Sequence, residues 1–374
     1  LLRLPARKTG ITGSQTNLFS SGLSGTALVV NLSASSSQDA HGGLGVPSGP
    51  FFHPPVLSVH VQNRHEKEQF MLVDFDRHER NSAESPIIDT RGWVAQERIL
   101  SPRVIDFTAG KVFWQCLQGE ASELLPYGRP YGRYDSAFIW RPLVSGGVPG
   151  KTWQSIVEDY SKRKLTNPSD KFPAIAGIAA KFADFRKDEY FAGHFSSTLP
   201  KSLLWIRSWR YVKRAEGAYV APSWSWASMA GQVNAGPKDE GAVAEVKKIE
   251  VVLKDPQNRF GQITSGSIVL EGPFLEDQQF DYVPQKPGQT PVWWQSVEGK
   301  IIPGLSSRTE VALDVAKDTL DGRALSFFCI TPTRGLVLVQ LDRNTYERVG
   351  IYNDQYNQRL EIADKRPWRK VKIV

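Results

Sequence analysis

Glu97 is the carboxylate whose position most needs explaining. In residues 89–116, DTRGWVAQERILSPRVIDFTAGKVFWQC, it falls on the same helical stripe as Trp93 and Leu100. A charge on an apolar stripe is costly unless it is paired or put to work. Two uses suit the residue types nearby: a catalytic carboxylate, or an ion pair with Arg91 or Arg103 that pins the helix to the segment after it. Three other constellations invite chemistry. Residues 145–152, SGGVPGKT, end like a phosphate-binding loop, but Ser145 stands where that loop needs its first glycine, which favours a flexible linker. His53, His60, His65 and His78 lie close in sequence without the paired spacing of metal ligands, so no metal is expected. Trp224 and Trp226 alternate with serines and suit either a stacking platform for a base or sugar, or the filling of an interface between helices and a sheet. Asp314 closes an apolar run, where an aspartate serves as a catalytic acid or, more commonly, as a turn residue.

The elements that must position these groups are legible from local pattern. Asp89 or Thr90 is suited to cap a short helix, and Ser101-Pro102 ends it because proline lacks an N–H. Residues 104–107 and 111–116 are β-rich runs around Thr108-Ala109-Gly110, a hairpin loop. Upstream, residues 27–30 read as a short strand, and 56–61 and 70–73 as two strands joined by a polar turn. Trp153, Ile156, Val157 and Tyr160 recur at helical spacing, as do Ile175, Ile178, Ala179, Phe182 and Phe185. Residues 221–228, APSWSWAS, look like a strand. From about residue 249 onward short apolar runs alternate with turn residues, the pattern of an antiparallel β region.

Composition narrows the function classes. At 374 residues with 40% hydrophobic content and eleven tryptophans, the chain has material for a large packed core rather than disorder. The net charge of +7 is dispersed except near the end, where Lys365, Arg366, Arg369, Lys370 and Lys372 read as a solvated basic tail rather than a nucleic-acid arm. Cys116 and Cys329 form no disulfide framework or metal motif, which suits a reducing, intracellular and cytoplasmic setting. No apolar run approaches the roughly eighteen residues of a membrane span, and the opening Leu1-Leu2-Arg3-Leu4-Pro5 is too short for a signal peptide. The chain starts without methionine and reads as truncated.

Several segments resemble one family. Arg91-Gly92-Trp93, Gln96-Glu97-Arg98, Leu100 and Ser101-Pro102-Arg103, succeeded by Phe113-Trp114-Gln115-Cys116, are similar to the end of the fungal HET (heterokaryon incompatibility) domain. Residues 153–182, Tyr190 to His194, Leu203-Leu204-Trp205 and 221–228 resemble the region C-terminal to that domain in family members, and residues 336–351 resemble their ends. Asp39, Gly43 and Leu44 match an earlier segment, while the family's opening strands and aromatic motif have no counterpart. The resemblance implies an α/β fold: a partial TIR-like HET region over 1–126, a helical HET-associated region with the tryptophan-rich strand over 127–232, and a β-rich domain over 233–374. It implies a role in self/non-self recognition and regulated cell-death signalling, with protein partners and no cofactor. The TIR relationship implies an alternative, cleavage of NAD as substrate, in an enzyme impaired by truncation. There Glu97 would hold the ribose hydroxyls and stabilise the oxocarbenium-like charge. Arg91 and Arg98 would contact phosphates, and Trp93 would pack against a ring.

Overall fold

The computed structural model describes residues 29–32, 56–62, 67–73, 87–107, 112–116, 120–122, 125–129, 153–208, 219–234, 236, 241–278, 295–296, 309–315, 320, 323–354 and 367–374; over the first three strands and parts of later ones it describes the backbone alone. Near the start, β1 (Val29–Leu32) precedes β2 (Val56–Gln62) and β3 (Lys67–Val73), which pair antiparallel with each other. A 3-10 turn at Ile87–Thr90 leads into α1 (Gly92–Leu100). Then come β4 (Arg103–Phe107), β5 (Val112–Cys116), β6 (Glu120–Ser122) and β7 (Leu125–Arg129). The five-stranded sheet runs β1-β4-β5-β6-β7, parallel only between β1 and β4 and antiparallel thereafter.

The middle of the chain is a layer of two short helices, 3-10 turns and two-residue strands. It holds α2 (Trp153–Ser161) and α3 (Ala176–Arg186), with the two-residue pairs β8 (Tyr190–Phe191) with β9 (His194–Phe195) and β10 (Ile206–Arg207) with β11 (Val233–Asn234). Phe182 of α3 is buried as its spacing requires, but Phe185 is 38% exposed, because the helix turns out of the core at its left-handed cap Lys187.

The last part closes on itself. Its strands are β12 (Glu245–Leu253), β13 (Ile263–Gln278), β14 (Gln295–Ser296), β15 (Glu310–Leu313), β16 (Leu325–Cys329), β17 (Arg334–Asp342), β18 (Thr345–Asn353) and β19 (Trp368–Ile373). Neighbours β13-β16-β17-β18 pair antiparallel, and β19 pairs both β13 (antiparallel) and β18 (parallel), so five strands form a ring. Strands β12 and β15 extend it at β13 and β18. Leu270, Phe274, Phe328, Leu338, Tyr346 and Val371, drawn from all five strands, belong to the cluster that fills the ring, and that cluster continues through the tryptophans and α3 to Ala95 of α1. The opposite faces of β16 and β17, with Phe327, Cys329 and Val337, are buried in a second cluster. Burial on both faces explains why residues 325–329 and 335–339 are apolar without alternation.

Three expectations are thereby corrected. The α/β, TIR-like arrangement with a helical segment after it does not form: the described residues are mainly strand, with three α-helices and a closed barrel. Between β1 and its parallel neighbour β4 the described elements are the β2–β3 pair, a 3-10 turn and the single helix α1, and β4 pairs antiparallel with β5, so no run of alternating strands and helices arises. Residues 221–228 are not a strand. Ser225 caps a 3-10 turn at Trp226–Ser228, its hydroxyl accepting from the Ala227 N–H at 3.1 Å. Of the basic residues near the end, Arg369, Lys370 and Lys372 are not a tail, since they lie on β19, with Arg369 paired to Glu276; Lys365 and Arg366 lie outside the described residues.

Candidate functional site

Helix α1 is joined to its surroundings at nearly every polar position. Neither Asp89 nor Thr90 caps it. Arg91 holds the N-cap place without a side-chain bond, and the Gly92 N–H donates instead to Lys164 O at 2.7 Å. A β-carbon at Gly92 would press on the Leu165 side chain, which would have to shift to admit it. The inward residues are Val94, Ala95, Gln96 and Ile99, one position rotated from the Trp93–Glu97–Leu100 stripe read from the sequence. The buried polar side chain is therefore Gln96, whose Oε1 accepts from the Gly177 N–H at 2.6 Å and ties α1 to α3.

The four candidate site residues have different surroundings. Arg98 is a structural hub. It bridges both carboxylate oxygens of Asp106 on β4 (2.9 and 2.5 Å), reaches Asp89 at 3.1 Å and meets Gln115 at 3.4 Å. Asp106 is 2% exposed, so the pair is largely desolvated and its bidentate geometry fixes α1 against the first sheet. Burial raises the Asp89 carboxyl above its ordinary range, against the pull of Arg98 and Arg163. The half-buried Trp93 indole donates to Asp170 Oδ2 at 3.2 Å. Glu97 and Arg91 are exposed. Partial burial raises the Glu97 carboxyl, and the Arg91 charge lowers it by less. None of these four residues lines the small cavity beside His194 or the large groove along β12 and β13.

Trp224 and Trp226 are core. Trp224 is fully buried and Trp226 is 2% exposed, which leaves no indole face open to stack on a base or sugar. Both Trp153 Nε1 (2.7 Å) and Trp226 Nε1 (2.9 Å) donate to Gly193 O, and Ser225 Oγ donates to Ala192 O at 2.6 Å. Gly193 has φ of 95°, and a β-carbon there would strike the Trp226 indole. Gly193→Ala is expected to cost about 2–4 kcal/mol, combining a strained backbone with overpacking. Urea unfolding monitored by tryptophan fluorescence measures it, and an unchanged midpoint would show that the indole yields freely.

Beside this aromatic layer His194 is 2% exposed, with Nδ1 2.9 Å from Ser202 Oγ; the two border a cavity of about 20 Å³. Burial, reinforced by the Arg348 charge, pushes the His194 pKa down to about 3, so the ring is neutral and a poor base. The cavity has room for little more than a water molecule, which excludes substrate there. Two further buried charges went unrecognised in the sequence. Lys171 lies over the Trp226 ring (5.7 Å) with its ammonium donating to Met229 O. Arg348 pairs with Asp314 at 2.8 Å. Asp314, in the bend that closes β15, is thus a buried counter-ion.

The large opening in the described residues lies elsewhere. A groove of about 1070 Å³ runs between β12 and β13 on one side and residues 189–192 and 219–223 on the other, with Arg259 and Lys372 also on its wall. Tyr219, Val252 and Leu341, each about half exposed, belong to its lining. Sequence reading missed the groove because its walls come from segments far apart in the chain. Among the described residues no three side chains are grouped to hold a metal, and no helix is long and apolar enough to cross a membrane. Residues 145–152, His53, His65, His78, Asp39, Gly43 and Leu44 lie outside the described residues, and His60 is described by its backbone alone. Comparison with family models, curated proteins and solved structures gave no match.

Proposed function

We propose that the chain is a HET-type heterokaryon-incompatibility protein, acting in the fungal cytoplasm as a protein-binding signalling module for self/non-self recognition and cell death. One observation carries the choice of a signalling module over an enzyme. The motif that bears the family resemblance is spent on structure: Gln96 holds Gly177, Trp93 holds Asp170, and Arg98 holds Asp106, Asp89 and Gln115. A NAD-cleaving site would need its carboxylate at the wall of a cavity that admits the dinucleotide and excludes water. Glu97 is exposed, and both Nη atoms of Arg98 are already taken up by Asp89, Asp106 and Gln115.

Two measurements test this together. Induced expression in a fungal host is expected to reduce viability. Glu97→Gln should keep that effect, and Arg98→Ala, which unhooks α1 from β4, should lose it. Purified protein incubated with NAD is expected to release no nicotinamide. Nicotinamide release that Glu97→Gln abolishes would replace the signalling reading with the enzymatic one. Undiminished viability on expression would overturn the incompatibility role itself.

A further inference from the structure

Residues 168–172 are held from several sides. A 3-10 turn at Pro168–Asp170 opens the segment, and another at Pro173–Ile175 follows it. Ser169 O accepts from Gln262 Nε2 at 3.1 Å, at the foot of the loop that joins β12 to β13. Asp170 Oδ2 accepts from the Trp93 indole of α1 at 3.2 Å. Lys171 O accepts from the Tyr160 hydroxyl of α2 at 2.7 Å, while its ammonium donates to Met229 O. Phe172 is buried edge-on against Trp226, with 6.3 Å between ring centroids.

The order of these bonds along the chain sets what they can do. One planar peptide unit separates the residue held by α1 from the residue that holds the barrel loop. Pro168 and Pro173 fix φ at either end, and the Asp170 and Lys171 amides are tied back to Asn167 O and Pro168 O at 3.0 and 3.1 Å. A segment braced in this way shifts as a piece rather than flexing between Ser169 and Asp170. Helix α1 grips it again further on, through Gln96 and the Gly177 N–H. The loop of residues 254–262 is anchored by the Gln262 bond and by the Phe260 ring, 5.2 Å from Tyr190.

We propose that residues 168–172 are a relay that couples the seating of α1 to the seating of the β12–β13 loop. Loss of the Trp93 bond frees the 3-10 turn on its α1 side, and the loop then loses the fixed acceptor that Ser169 offers. Phe172, Gly261 and Ile263 stand on the wall of the large groove, so a change at α1 is felt on that wall. The coupling runs equally in both directions, as linkage between two equilibria requires. It needs no partner and is measured on purified protein, so it stands or falls separately from the viability experiment.

Native-state hydrogen exchange of the full chain, read by mass spectrometry, tests the relay. Trp93→Phe deletes the indole N–H and keeps an aromatic ring. It is expected to speed exchange in the segment 254–262, where the Lys254, Asn258 and Gly261 amides are hydrogen-bonded, by about threefold, part of what one hydrogen bond is worth. Peptides from β16 and β17, in the same barrel but away from the relay, should keep their native rates. Gln262→Ala should in turn speed exchange within α1. Asp170→Asn, which keeps an acceptor oxygen for the indole, should leave the loop near native. Faster exchange everywhere in Trp93→Phe would make Trp93 a general stabiliser and overturn the relay. So would changes confined to α1, or stabilities of Trp93→Phe and Gln262→Ala that simply add in the double variant.

Discussion

Replacing Arg348 with alanine is expected to cost about 3–5 kcal/mol, the range for breaking a buried ion pair from one side. The guanidinium is completely buried and each edge of it is used. Nε donates to Asp314 at 2.8 Å, Nη1 to Leu203 O at 2.5 Å, and Nη2 to Trp205 O at 2.7 Å. Its flat face lies 3.3 Å from the centre of the Trp205 ring. One side chain thus ties β18 and the end of β15 to residues 203–205 of the middle layer. Alanine leaves Asp314, 1% exposed, without its counter-charge and two carbonyls without donors. Urea denaturation gives the loss, and Arg348→Lys is expected to recover less than half of it, because an ammonium cannot span three acceptors in one plane. A double variant Arg348→Met with Asp314→Leu separates pairing from packing. If it is no more stable than Arg348→Ala, the cost lies in the lost stacking and carbonyl bonds rather than in the orphaned carboxylate.

Lys171→Met is expected to work in the opposite direction and stabilise the protein at neutral pH. Lys171 is 7% exposed, and among the described residues its ammonium has a carbonyl and an indole face for company rather than a carboxylate. Burial brings its pKa from 10.5 down to about 8. Between those values the unfolded chain carries a proton that the folded chain has released, so stability rises with pH from about 8 toward 10.5 and is lower by the full amount below 8. At about 1.4 kcal/mol per pH unit the amount is about 3 kcal/mol. Methionine has similar length and no charge to desolvate. Denaturant midpoints at pH 7 and pH 9.5 should differ for the native chain and converge for the variant, which should gain about 1–3 kcal/mol at pH 7 after losing the carbonyl bond. A variant that is weaker at pH 7, with the pH slope unchanged, would mean that water reaches the ammonium.

What could be read in the sequence was local. Proline after Ser101 ends α1, and the spacing of Trp153, Ile156, Val157 and Tyr160 makes α2, because backbone chemistry and one apolar face decide both. Rotation of a short helix is another matter. Whether Gln96 or Glu97 points inward depends on α3 arriving at Gly177, and nothing within nine residues records that. Arg348 did leave a trace: it has the same parity as Tyr346 in β18, so an inward tyrosine two residues away put the arginine inside. The run WSWAS misled because alternation means a strand only when the serines do not cap the backbone themselves, and Ser225 does. The basic residues of β19 misled because a strand with one wet face carries lysines as readily as a tail does; Val371 and Ile373 on its other face are fully buried.

The closed ring has a consequence for how the protein comes into being on the ribosome. Strand β19 completes the circuit by joining β13 and β18, and its contact with β13 links positions roughly a hundred residues apart, a separation that slows folding. During synthesis β16, β17 and β18 emerge before β19, and they wait with the filling of the barrel uncovered. Until β19 leaves the exit tunnel the sheet has two raw edges, the condition in which nascent chains associate with one another.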